Sequence, residues 1–206
     1  MPKHRVIVSG EFHTHQILRG HATLLRDLRI ENQNGDAYVD VEEALACSML
    51  LNVAFAVEAH ANYLLEPVCP TEYRNERTFF SEGEYRGTLG KLYFLSKHLN
   101  VSLDKGSRPF QTVKELFKWR DLIAHSRIER QENNIEYTDP NKILLPESRR
   151  VNAYKAPWAS RVVEDSQELC SSLQKAAYAK RVKGILGPEA FSGFLGTREL
   201  KLSSKL

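Results

Sequence analysis

The chain has 206 residues, 42% of them hydrophobic and 27% charged, with a formal net charge of +3 and a pI near 8.7. That length and apolar content suffice for one domain with its own core, so neither a disulfide framework nor a structural metal is needed to hold it. The three cysteines, Cys47, Cys69 and Cys170, are far apart and lack CxxC spacing, which points to buried thiols in a reducing compartment.

Residues 1–38 form an N-terminal extension, β-like or mixed. "HRVIVSG" and "EFHTHQIL" alternate around Gly10, "HATLLRDLRIEN" suits a short helix or another strand, and "NQNGDAY" carries turn chemistry. No apolar signal region opens the chain. Asp40, with Glu43 three residues on, caps a long helix that runs to about Leu65 and stops before Pro67. It is apolar on nearly all sides, as a central bundle helix would be. Asn52, Glu58, His60 and Asn62 interrupt it and make it too polar for an unbroken membrane span.

"PVCPTEYRNERTFFSEGEY" is a linker, and a second helix runs from about Thr88 to Leu99. Pro109 opens a third helix that continues through "FQTVKELFKWRDLIAHSR". The polar stretch after it holds two short apolar runs, IEY and ILL, that suit a hairpin insertion near 134–146. A fourth long helix begins near Pro157-Trp158 and reaches about Val182, ending before Gly184. Residues 187–206 are a loose C-terminal tail. The sum is an all-α chain, an up-and-down bundle of four to five helices over 39–186.

The stretch "WRDLIAHSR", Trp119 to Arg127, carries the strongest chemical signal. Val113, Leu116, Phe117, Ile123 and Ala124 form the core stripe of the third helix, and Arg120 falls in its middle. A guanidinium there keeps its charge and needs an anion. Glu58, on the first long helix beside Ala54, Phe55 and Ala61, is one partner, with Asn62 a turn further along. A phosphate is the other, because the Arg fork matches its oxygens. His125 lies five residues on, about 140° around the helix. Asp121, one turn before His125, is placed to orient the imidazole. As a plain alternative, His125 is a polar residue near a helix C-terminus, where a cation is favoured.

"RDLIAH" at 120–125 has an Arg, a polar residue, three mostly apolar residues and a His late in a helix. This pattern, with the long helix carrying Glu58 and Asn62 and with the order of helices, resembles the HEPN superfamily (higher eukaryotes and prokaryotes nucleotide-binding domains). The resemblance covers roughly residues 39–186. It implies a metal-independent endoribonuclease without cofactors, working as a homodimer in which two copies of Arg120 and His125 form one composite site. Asp121, Glu58 and Asn62 take supporting roles in it. A toxin or phage-defence setting follows, in the cytoplasm, with RNA as substrate, an antitoxin or activator protein as a further partner and no membrane. Some family members carry a Tyr two residues after the His that a partner modifies; Arg127 stands there, so that mode of control is not expected.

Two rivals stand beside this. One is a non-catalytic HEPN-like module that binds nucleotide or RNA or serves as a scaffold. The other is a metal site in "EFHTHQILRGH", with Glu11, His13, His15 and His21: on a strand, His13 and His15 would share a face. Lys175, Lys180, Arg181 and Lys183 suit a solvated helix face better than a backbone-binding surface.

Overall fold

A computed structural model describes residues 5–12, 14–33, 39–124, 156–185, 187–191 and 196–203. His125 and the hairpin expected near 134–146 lie outside them. The described chain is mostly helical: α1 (Thr14–Gln33), α2 (Val39–Val68), α3 (Pro70–Arg74), α4 (Glu76–Phe79), α5 (Gly87–Leu99), α6 (Phe110–Ala124) and α7 (Val162–Ala179). Short 3-10 turns occupy Gly83–Tyr85 and Ala159–Arg161. Two strands, β1 (Arg5–Phe12) and β2 (Gly196–Ser203), pair antiparallel, with Arg5 opposite Ser203 and Phe12 opposite Gly196.

Several sequence expectations shift at the element ends. The β-like character of "HRVIVSG" matches β1, but "EFHTHQIL" becomes helical at Thr14. Leu18, Ala22 and Leu25 recur at helical spacing, and that period outweighs the short alternation. His15 therefore lies on a helix and not on a strand, and His13 lies outside the described residues. The tail is not loose throughout, because residues 196–203 find a partner strand at the other end of the chain. Asp40 sits inside the first turn of α2 and not before it. Pro67 lies within the last turn of α2, and the Cys69 amide still reaches the Leu65 carbonyl at 2.8 Å. Pro67 itself has no amide hydrogen to give the ladder, a loss confined here to the helix end. The expected linker contains α3, which has Pro70 at its start and Glu72 in its first turn, and α4.

Both α5 and α7 end in Schellman caps. In α5 the Asn100 amide bonds to Lys97 O and the Val101 amide to Ser96 O, with Asn100 at φ 58°. In α7 the Arg181 amide bonds to Tyr178 O and the Val182 amide to Ala177 O, with Arg181 at φ 55°. The helix thus stops at Ala179, short of the expected Val182.

The chain divides into two compact units that interleave in sequence. One holds residues 1–20, 55–101 and 170–206, the other 21–54 and 102–169. The first unit buries Val57, Ala61, Leu64 and Leu65 of α2, Leu92 and Leu95 of α5, and Cys170, Leu173 and Ala177 of α7. Each large aliphatic side chain removed from water contributes roughly 1.5–3 kcal/mol. Burial also pushes the Cys170 thiol well above its ordinary range, as it pushes Cys69, with help from Glu72, to about 11. Cys47 is only half-buried. Gly90 lets α5 start close to the preceding turn, since a Cβ there would stand 1.9 Å from the Tyr85 carbonyl carbon.

The first unit also encloses a polar pair. His60, fully buried, lies 2.8 Å from Gln174 Oε1 through its Nε2. Gln174 donates through Nε2 to the carbonyls of Gly187 at 3.0 Å and Glu189 at 2.9 Å. With both amide hydrogens used, its oxygen accepts, so His60 carries its proton on Nε2.

The second unit buries Met49, Leu50 and Val53 of α2, Phe110, Val113, Leu116 and Phe117 of α6, and Val162 and Val163 of α7. By length and composition alone, Ala44–Val68 of α2 could cross a bilayer, at a mean hydropathy of 1.5, but half of that stretch is buried inside the protein. Burial of a polar, hydrogen-bonded His60 within it fits a core helix.

Candidate functional site

The apolar stripe of α6 weakens toward its end. Phe110, Val113, Leu116, Phe117 and Trp119 are buried, Ile123 is half-buried, and Leu122 and Ala124 are exposed. Arg120 therefore stands at the rim of the core and not in its middle, with 26% of its side chain accessible. The core ends before Ala124, which the spacing alone could not reveal.

The Arg120 guanidinium meets neighbours on its own helix. Its guanidinium lies 5.2 Å from the centre of the Phe117 ring, one turn back on the helix, a cation–π contact. Its Nε is 3.4 Å from Asp121 Oδ1, too long for a strong charge-assisted bond and so a weak ion contact. The remaining exposure keeps part of the group in water. Asp121, expected to serve His125, thus also stands beside Arg120, and it is itself exposed.

Glu58 and Asn62 belong to the first unit, Arg120 and Asp121 to the second. Glu58 is half-buried on α2 between buried Ala54 and Ala61, while Phe55 is 46% exposed, so the face there is less enclosed than expected. Asn62 has a partner the sequence did not announce. Its Oδ1 accepts from Lys91 Nζ of α5 at 2.8 Å, and Lys91 also makes a short ion pair with Glu76 of α4. Lys91 is only 5% exposed. Its place among Leu92, Phe94 and Leu95 on α5 is the signal that pointed to a buried, partnered cation.

Of the basic residues near the end of α7, Lys175, Arg181 and Lys183 are exposed, while Lys180 donates to His98 O at 2.8 Å. Among the described residues no group of three or more His, Cys, Asp and Glu is placed to hold a metal. Comparison of the chain with protein-family models, with curated proteins and with solved structures returns no match.

Proposed function

We propose that this chain is a metal-independent endoribonuclease of the HEPN kind, acting as a homodimer through Arg120 and His125. The observation that carries this is the position of Arg120: a guanidinium on an otherwise apolar stripe, set at the rim of the core where part of it meets solvent. Arg120 rests against the Phe117 ring face, with its Nε 3.4 Å from Asp121 Oδ1. Its fork suits a phosphate, and His125 follows at the family spacing.

The chemistry is a transesterification. One His125 takes the proton of a ribose 2′-hydroxyl, and that oxygen attacks the adjacent phosphorus. The bond to the 5′ oxygen breaks, and His125 of the second copy returns a proton to the leaving group. Arg120 stabilises the charge that builds on the non-bridging oxygens. The products are a 2′,3′-cyclic phosphate and a 5′-hydroxyl. Asp121 orients the imidazole, and Glu58 and Asn62 hold supporting places. A toxin, phage-defence or RNA-processing role fits such an activity, with an antitoxin or activator as a further partner.

The test is incubation of the full chain with total RNA in EDTA, beside Arg120→Ala and His125→Ala. Cleavage by the parent, with each variant slowed on the order of a hundredfold or more and cyclic-phosphate ends, is the expected outcome. Equal cleavage by all three proteins would overturn the assignment.

A further inference from the structure

After the cap of α7 the chain turns at Gly184, φ 91°, and residues 184–191 run back along the helix as a strap within the first unit. Gln174 donates to the carbonyls of Gly187 and Glu189, and Ser171, about one turn earlier, accepts from the Ala190 amide at 3.2 Å. From α2, the Tyr63 hydroxyl donates to Gly184 O at 3.1 Å, and the His60 ring lies 5.1 Å from that of Phe191. Each of these hydrogen bonds joins a helix side chain to the backbone of the strap. Ile185 and Ala190 are buried, while Pro188 and Glu189 are exposed. At the far end Phe191 stands at φ 60°, a left-handed conformation that costs a non-glycine residue free energy.

His60 lies at the centre of this fastening. Its Nε2–H goes to Gln174 Oε1 at 2.8 Å, which turns the Gln174 amide hydrogens toward the strap carbonyls. The ring is fully buried, so an added proton places a charge in the core, and contact with water relieves it. The two helices resist opening, because Val57, Ala61 and Leu64 of α2 and Leu173 and Ala177 of α7 are fully buried. The strap, held by side chains and exposed along part of its length, opens at lower cost.

We infer that residues 184–191 are an acid-released latch: protonation of His60 lifts the strap from α2 and α7 while both helices stay folded, and so loosens the segment that leads into β2. Burial brings the pKa of the ring from 6.5 down to about 4 in the closed form, with the Gln174 bond opposing the shift. The closed latch thus binds the proton more weakly than the open one. Closure is fully favoured above 6.5 and weakens as pH falls toward 4. The other groups to weigh are Tyr63 of α2, 6.1 Å from the ring, the neutral Gln174 and Ser171 of α7, and on the strap the exposed Glu189, with Arg181 and Lys183 at its root. Glu189 is the one carboxylate of the strap, so it is varied separately. The latch uses neither Arg120 nor His125 and holds whether or not the chain cleaves RNA.

Hydrogen–deuterium exchange of the full chain tests it, read by NMR from neutral pH down to about 4 and corrected for the intrinsic rate of each amide. The Ala190 amide should exchange on the order of a hundredfold faster than those of Leu92 and Leu95 in α5, as local opening requires. Its protection should fall by close to tenfold per pH unit between about 6 and 4.5. Glu189→Gln should keep that slope, and His60→Gln should flatten it. A flat response in the parent overturns the latch, and so does a slope that survives in His60→Gln or vanishes in Glu189→Gln. Exchange of Ala190 no faster than that of α5 overturns it too, since the strap would then open only with the whole fold.

Discussion

In the first unit, two buried polar side chains meet partners inside the protein. His60 is neutral and bonded to Gln174, and Lys91 is matched by Glu76 and Asn62. In the second unit, one buried carboxylate, Asp165, faces outward through a half-exposed Arg108. The contrast separates charges closed off at depth, which serve the fold, from a buried charge carried to the surface through an exposed partner. The Arg120 rim belongs to the second unit too.

Breaking the closed fit of the first unit should have the largest effect. Gly90→Ala in a helix ordinarily stabilises, by up to about 1 kcal/mol. Here the new methyl meets the backbone of Tyr85, with the nearest atoms at 1.9 Å, so chemical denaturation should show a loss of about 3 kcal/mol or more. A neutral or stabilising result would mean that α5 and the preceding turn do not approach as described.

Next comes the anchor of the second unit. Burial raises the cost of charge on Asp165, but the bonds from Arg108 and Thr112 outweigh it and hold its pKa below the ordinary 3.8. Asp165→Asn should cost about 2–3 kcal/mol near neutral pH, because it loses the charge that grips Arg108. The stabilisation of the parent is present above 3.8 and is lost as pH falls through the lower folded value. If the variant were as stable as the parent, the carboxylate would not be gripping the fork.

The smaller effect sharpens the first unit. Burial lowers the His60 pKa from 6.5 to about 4, although its bond to Gln174 opposes the shift. The unfolded chain therefore takes up this proton first, so stability is full above 6.5 and falls as pH drops from 6.5 toward 4. Between pH 7 and 5 the parent should lose about 2 kcal/mol from this group. His60→Leu should flatten that acid limb in denaturation curves; an unchanged slope would assign the loss to other groups.

Much of the helical plan was legible. Runs with apolar periodicity gave α5 and α6 within a few residues, and α2 and α7 as long helices, because one sustained period over many residues leaves little choice. Ends were harder to read. Arg181 occupies the left-handed cap position that glycine usually marks, so the stop of α7 at Ala179 was hidden. Pro67 advertised a stop that the helix outlived by one residue. In the candidate site, the spacing put Arg120 on the apolar stripe, but not at its rim, and it named Asn62 without its Lys91.

By itself the sequence determined the helical class, the place of Arg120 on the apolar stripe of α6, and the buried character of Leu116 and Phe117, since these follow from local period and side-chain chemistry. Only the tertiary structure decided the pairing of β1 with β2, the bond between His60 and Gln174, and the grip of Asp165 on Arg108. Those joins bring together residues far apart in the chain, and no local pattern encodes a contact whose two halves are each ordinary until the core forms between them.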